Sequence, residues 1–450
     1  MKNERYQASC SAGASPNLPA IKSVRQTECE PSDDGAEGAA LSAPRGCGRL
    51  ARMNENERVR PGWKPGEFQA HFIHTGVAES VFFVFPDSTT MLLDCGDQAS
   101  ITRGKFAVPA LPGPERLAGE WVARYVRRAN PNGAEVDWAV VSHFHSDHVG
   151  TPSWQKFPWF PDEPDRLEGC PRCGFALAAE TLRFRRATDR GWPDYDDPMP
   201  SACAEEVGVV RSTWEALRRR DGLVPEPFRL GASDQFAAER GGAPGFSVRN
   251  AFANGRLALP DGSVRDLYAD FIARDRPAEL NENGMSLGMV FSYGAFRLFA
   301  GGDFSDRIPG PDGRRISVED ELAGCIERCH VAKIDHHGHH SVGRALAAAL
   351  RPRVWVACVW DRLHLTEDTA ESLLAPDAPD DAQPLLVPTV LPVTEAGERP
   401  WWRFVPDACR TGCHAVVTVP PGGETFRLDL LDARDEAMRV VDSRTFRTDA

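Results

Sequence analysis

Six consecutive residues, His143-Phe144-His145-Ser146-Asp147-His148, bring three imidazoles and a carboxylate together. Imidazole nitrogen and carboxylate oxygen are the ligands that Zn²⁺ and related divalent ions prefer. His143 and His145 are two apart, so in an extended turn they point the same way. Asp147 and His148 enter a new turn and can face a second ion beside the first. A lone histidine is ordinarily a core or surface residue; four ligand-type side chains at this spacing argue for a metal site.

Two later points can meet this run. Residues 297–303 read as a strand ending in Gly301-Gly302-Asp303. Glycine lets backbone approach a crowded site closely, and an aspartate there can bridge two ions. Residues 331–338 read as another strand, ending in Asp335-His336-His337-Gly338. Singly, Asp303 reads as well as a turn or N-cap residue, and His336–His340 as a solvated turn. Jointly with the histidine run, they describe strand ends converging on one edge, where layered folds place their sites.

The elements that must deliver these residues follow from hydrophobic pattern. Strands are expected at 68–75, 79–85 and 90–96, and a helix over 114–128 from Leu117, Trp121, Val122, Tyr125 and Val126. Strand 137–142 carries the histidine run. Residues 151–200, rich in proline and aromatics, read as an irregular insertion. Beyond it come a helix at 203–220, a strand pair at 286–293 and 295–301, a strand at 330–335, and an alternating tail. That tail has a helix at 342–350, a strand at 353–359 and a helix at 366–374. A polar linker, 375–383, precedes a β-rich end with a hairpin-like loop at Pro420-Pro421-Gly422-Gly423.

In order along residues 68–375, Leu92-Leu93-Asp94-Cys95-Gly96, the His143–His148 run, Gly302-Asp303 and His336-His337-Gly338 resemble the metallo-β-lactamase superfamily. Asn283-Gly284-Met285-Ser286-Leu287, the Phe299–Asp303 strand end and His364 are similar to the ComEC-like branch, the soluble hydrolase domain of DNA-uptake proteins and its stand-alone relatives. The resemblance implies an α/β protein with an αββα four-layer sandwich and one or two divalent metals, Zn²⁺ or Mn²⁺, at its edge. Carried over, His143 and His145 hold one metal, Asp147 and His148 the second, and Asp303 bridges them. Either His336 or His337 completes the second site. Asp94 orients a histidine ligand from behind. Asn283, Ser286 and His364 touch substrate. One departure stands out: no histidine lies between His148 and His330, where many superfamily members supply a further ligand to the first metal. A weaker first site, or a single tightly held ion, is the expectation.

The chemistry implied is hydrolysis by a metal-bound water that loses its proton near neutral pH. Asp147, His364 or a water protonates the leaving group. The ComEC-like features favour a phosphodiester, with nucleic acid among the candidate substrates. Lys156, Arg166, Arg172, Arg183, Arg185, Arg186 and Arg190, among Trp154, Trp159, Phe160 and Trp192, can hold phosphates and stack bases; a solvated lid explains the same residues. Two rival readings are a hydrolase of a small ester, lactone or amide, and a metal-binding scaffold without turnover.

Composition bounds the rest. The 450 residues carry a net charge of −13, which argues against wrapping nucleic acid over the whole surface. No apolar run reaches the roughly 20 residues of a membrane helix, and the N-terminus lacks a secretory core, so a cytoplasmic protein is expected. Residues 1–65 read as a disordered leader, 66–375 as the hydrolase domain, and 376–450 as a β-rich extension packed on it. Met53 opens a more ordinary start, and the intact mass of the native protein tests whether translation begins there. The twelve cysteines are scattered; Cys170 and Cys173 make half a zinc knuckle without a second pair.

Overall fold

Strands that are apolar at every position must be covered on both faces. Val81–Val84 reads VFFV and Thr90–Leu93 reads TMLL, and every one of these residues is buried. They are the centre of a nine-stranded sheet. The computed structural model describes residue 60 and residues 62–97, 108–150, 167–269, 281–304, 308–309, 315–375, 378–391 and 398–449. Most of the expected leader, including Met53, lies outside the described residues. So do Trp154, Lys156, Trp159, Phe160 and Arg166.

In chain order the first half comprises β1 (Phe68–Phe72), β2 (Val81–Val84), β3 (Thr90–Leu93), α1 (Ala118–Ala129), β4 (Glu135–Val141), the single turn α2 (Ser146–Val149), α3 (Gly174–Ala178), β5 (Arg183–Asp189), α4 (Ala204–Asp221) and β6 (Val224–Pro225). Then follow β7 (Phe246–Ala253), β8 (Arg256–Ala258), β9 (Val264–Asp266), β10 (Gly288–Tyr293), β11 (Phe296–Gly301), a small ladder of β12 (Ile308–Pro309) with β13 (Arg315–Ile316), α5 (Val318–Ala323) and β14 (Val331–Lys333). The tail holds α6 (Arg344–Leu350), β15 (Val354–Ala357), α7 (Glu367–Leu373), β16 (Leu385–Pro388), β17 (Cys413–Val419), β18 (Thr425–Asp432) and β19 (Val440–Arg447).

The first sheet runs β19-β18-β17-β1-β2-β3-β4-β5-β6, and the second β16-β15-β14-β11-β10-β7-β8-β9. Each is antiparallel at one end and parallel at the other. In the first sheet the parallel neighbours are β3, β4, β5 and β6; in the second they are β11, β14, β15 and β16. The sheets pack face to face. Phe68, Phe83, Met91 and Trp138 from the first share one core with Phe252, Met289, Phe291 and Leu298 from the second. Phe83 and Phe291 stack at 4.3 Å between ring centroids.

Alternation sends the other residues of the same strands outward. Phe82, Val84, Leu92 and Val141 pack with Val122 and Val126 of α1 and Trp214 and Leu217 of α4. Leu322, Leu346, Leu350 and Leu373 of α5, α6 and α7 join the core of the second sheet. The result is a mixed α/β protein built on two large sheets.

Two regions differ from expectation. Residues 183–189, read as irregular insertion, form β5. Phe184 and Ala187 join the core that faces α1 and α4, while Arg185 and Arg186 pair with acids. Arg185 Nη1 is 2.9 Å from Asp137 Oδ1, and Arg186 Nη1 is 2.8 Å from Glu239 Oε1. The β-rich end is no appendage either: β17 hydrogen-bonds along all of β1, Phe68 to Phe72, as part of the first sheet.

Candidate metal centre

In open α/β sheets, crevices for ligands form outside the carboxyl ends of parallel strands. The carboxyl ends of β3, β4, β11, β14 and β15 carry Asp94, His143, Asp303, the His336-His337 turn and Cys358.

Asp94 follows β3 with φ 58°, a left-handed turn. Its carboxylate accepts the Ser142 N–H and Oγ–H, both at 2.7 Å, and meets His148 Nδ1 at 2.8 Å. The other nitrogen of His148 therefore faces away from Asp94, and it lies 3.1 Å from Asp303 Oδ2. α2 supplies the turn that puts Asp147 beside His148. Its backbone touches the chain after β3 so closely that a Cβ at Gly96 would sit 1.6 Å from the Asp147 carbonyl oxygen. Asp303 is anchored through its N–H, which donates to Ser286 Oγ at 3.0 Å.

His336 and His337 both adopt left-handed backbone, at φ 48° and 53°. This costly conformation for a residue with a Cβ decides between two adjacent histidines. His337 turns inward: Nε2 lies 2.9 Å from Asp147 Oδ2 and 3.2 Å from Asp303 Oδ2. Its Nδ1 faces the Cys358 carbonyl at 2.9 Å and Glu79 Oε2 at 3.3 Å. His336 points elsewhere, with Nδ1 buried and unpartnered, and burial lowers its pKa to about 4.

The pattern is symmetrical. Two imidazoles present Nε2 to Asp303, and each has a carboxylate at its back, Asp94 behind His148 and Glu79 behind His337. Glu79, His148, Asp303 and His337 offer ligand atoms within 4.8 Å of one another, and all four are buried. Among the described residues this is the one group of three or more such side chains able to hold a metal ion. The second oxygen of Asp303 is buried without a hydrogen-bond partner.

Electrostatics agree with the geometry. Burial disfavours charge on His148, yet Asp303, Asp147 and Asp94 overcome it and hold its pKa well above the usual imidazole value. The same contest, with burial opposed by Asp303, Asp147 and Glu79, raises His337. Burial would raise Asp147 and Asp303, but His148 and His337 keep both well below the carboxylate range. Carboxylates surround both imidazoles, a setting that favours either a cation or the protonated rings.

The remaining expected residues divide. His143 Nε2 is 3.9 Å from Asp303 Oδ2 and 3.1 Å from His145 Nδ1, so these two rings face each other at the margin of the cluster. His364 stacks on His337, with centroids 4.8 Å apart and planes at 13°. Its Nδ1 accepts the Trp360 and Asp361 N–H groups, both at 3.4 Å, leaving Nε2 to carry the proton. Asn283 is buried with Oδ1 unpartnered, and Ser286 is buried against Asp303.

Two residues at the centre went unread in the sequence, Glu79 and Lys333. Lys333 is wholly buried, 3.0 Å from Glu79 Oε1, and donates to the carbonyls of Gly302 at 3.0 Å and Ile334 at 3.3 Å. It ties together the three chain segments that hold Glu79, Asp303 and His337. Burial opposes its charge, but Glu79, Asp303 and Asp335 keep its pKa above that of ordinary lysine. The available signal was weak: a charged residue at the edge of each of two apolar strands.

Among the described residues, Cys170 and Cys173 join no such group; Cys170 Sγ donates to the Ser212 carbonyl at 3.0 Å. No helix among the described residues is long and apolar enough to cross a membrane. No family model matches this chain, and no curated protein matches it.

Proposed function

We propose that the chain is a metal-dependent hydrolase of metallo-β-lactamase type, with αββα layering, and that it cleaves a phosphodiester. The observation that carries this reading is the pair of carboxylate-backed imidazoles aimed at one buried aspartate. A histidine ligand characteristically has a carboxylate or carbonyl on its other nitrogen, which fixes its tautomer and direction. The orphaned oxygen of Asp303 fits the same purpose. Mixed nitrogen and oxygen donors suit Zn²⁺ or Mn²⁺ better than Ca²⁺ or Mg²⁺.

Asp147, His148, Asp303 and His337 would hold the ion, with Glu79 and Asp94 orienting the two imidazoles. When bound, a divalent cation supplies Lewis acidity, easing deprotonation of water and offsetting charge that grows on the substrate. The chain's own residues do the rest. Asp303 holds the shared edge of the site through its anchored backbone. His364 would donate a hydrogen bond from Nε2–H to a substrate oxygen beside the face of His337, and a water would protonate the leaving group. His143 and His145 line the approach.

A small ester, lactone or amide is the second reading, and one observation favours it. Of the five described arginines of the supposed basic loop, Arg183 is exposed and the other four are committed to acids: Arg172 to Glu180, Arg185 to Asp137, Arg186 to Glu239 and Arg190 to Glu282. They offer less to a polyanion than the sequence suggested.

The test pairs metal analysis with hydrolysis of bis-p-nitrophenyl phosphate, on the wild type and on His337→Ala. Turnover that follows metal content and disappears in the variant supports the proposal. A metal-loaded protein silent on phosphodiesters but active on esters or lactones transfers it to the second reading. Metal without turnover on any of these leaves a scaffold.

A further inference from the structure

Arg190 leaves β5 and Glu282 precedes the turn at Asn283–Met285, and the two meet in a forked ion pair. Arg190 Nε reaches Glu282 Oε1 and Nη2 reaches Oε2, both at 2.6 Å, with side chains 0% and 3% exposed. The same carboxylate accepts two more hydrogen bonds. Phe144 N–H donates to Oε1 at 2.9 Å, and Ser201 Oγ–H donates to Oε2 at 2.5 Å. The guanidinium lies 4.6 Å over the Phe144 ring. Asn254 completes the frame, giving its Nδ2–H to the Arg190 carbonyl at 2.7 Å and accepting from Arg190 Nη1 at 3.3 Å.

Phe144 is the residue between His143 and His145. Its backbone is held by Glu282 and its ring by Arg190, so the ion pair grips the link between the two imidazoles. The adjoining chain is stitched down as well: Leu287 N–H donates to the Ser142 carbonyl at 3.0 Å. Removing two charges from water is expensive, and an apolar pair of equal volume often stabilises a fold at least as well. The fork geometry and the four hydrogen bonds accepted by the Glu282 carboxylate fix position as much as they add stability.

We propose that Arg190 and Glu282 are positioning residues that preset His143 and His145 for the separate metal position the resemblance implies for them, beside the main cluster. This rests on the metal-centre reading above. The second position has few protein donors, two imidazoles and a share of Asp303 at 3.9 Å. With so few donors, affinity depends on how little the pair must reorganise. The clamp supplies that order from behind, without touching the ion.

The experiment is calorimetric titration of metal-stripped full-length protein with Zn²⁺ and with Mn²⁺, beside Arg190→Lys, Glu282→Gln and the double variant Arg190→Met/Glu282→Gln. Lysine keeps the charge but loses the fork. The double variant leaves no buried charge unpaired and keeps an acceptor for the Phe144 N–H, which protects the fold; circular dichroism melting checks it. The expected result is two equivalents in the wild type. The weaker one should lose roughly 10–100-fold in affinity in folded variants, while the tighter one is unchanged. Equal weakening of both equivalents, or no weakening in a folded variant, overturns the proposal. One equivalent in the wild type, lost with His337→Ala, also overturns it and leaves the main centre intact. No binding at all removes the metal-centre reading itself.

Discussion

Among the described residues, two sets of buried histidines behave in opposite ways. His71, His74 and His414 sit among β1, the chain beyond it and β17. Their partners are neutral, apart from Arg60: Tyr125 OH and Gln69 Oε1 for His71, Thr389 Oγ1 for His74, and the His74 N–H for His414 Nδ1. Burial pushes all three down, His74 to about 4 and His414 to about 3. His148 and His337 are as deeply buried, yet carboxylates hold them well above the ordinary value. Burial alone disfavours the charged imidazole, as it does for His143 beside the cluster; acids on both nitrogens reverse that at His148 and His337.

The hardest test of that contrast is Asp303→Ala. It removes the carboxylate that lies 3.1 Å from His148, 3.2 Å from His337 and 3.9 Å from His143. Metal content and phosphodiester turnover should fall by more than the roughly 100-fold that partners behind a ligand can command. Retention of metal would place the site elsewhere. Next in size is the effect of metal on stability. Free Zn²⁺ or Mn²⁺ at about a hundredfold excess over Kd should add about 2.7 kcal/mol to unfolding. His74→Gln should leave that increment unchanged in denaturant titrations, because the two histidine groups are separate.

Smaller again are Asp94→Asn and Glu79→Gln, each expected to weaken metal binding roughly 10–100-fold by loosening one imidazole. If only Asp94→Asn does so, the symmetry of the two carboxylate-backed rings is broken, and Glu79 serves mainly as the partner of Lys333. The effect of acid bears on the other histidine group. The pKa of His74 falls from 6.5 unfolded to about 4 folded. Between those values the unfolded chain binds the extra proton, so stability is complete above pH 6.5 and drains away towards pH 4. His74→Gln should flatten that limb by on the order of 3 kcal/mol, read from urea midpoints across the range. An unchanged slope would mean His74 is already protonated in the fold.

How much of this could be read from the chain alone depends on distance along it. Asp94, the His143–His148 run, Asp303 and the His336-His337 pair announce themselves because each is a polar group at the end of an apolar strand. Their meeting follows from strand ends lining one crevice. The choice of His337 over His336 does not follow, because two adjacent residues differ only in which way a left-handed turn aims them. Glu79 and Lys333 were hidden for another reason. Each is a single charge beside an apolar run, and only the pairing of distant segments buries them together. β5 was missed because its arginines looked like a basic loop, when Asp137 and Glu239 neutralise them within the sheet. The register that joins β17 to β1 is likewise a long-range fact that local pattern does not encode.

The atoms able to hold an ion come from both sheets: Glu79 and His148 from the first, Asp303 and His337 from the second. An ion shared among them would act as a rivet through the sandwich, and its escape would require the two sheets to part at that edge. Chelator should then strip it at a rate set by opening of the protein, independent of chelator concentration once that is high. Resistance to stripping would serve as a clock for how often the sandwich breathes.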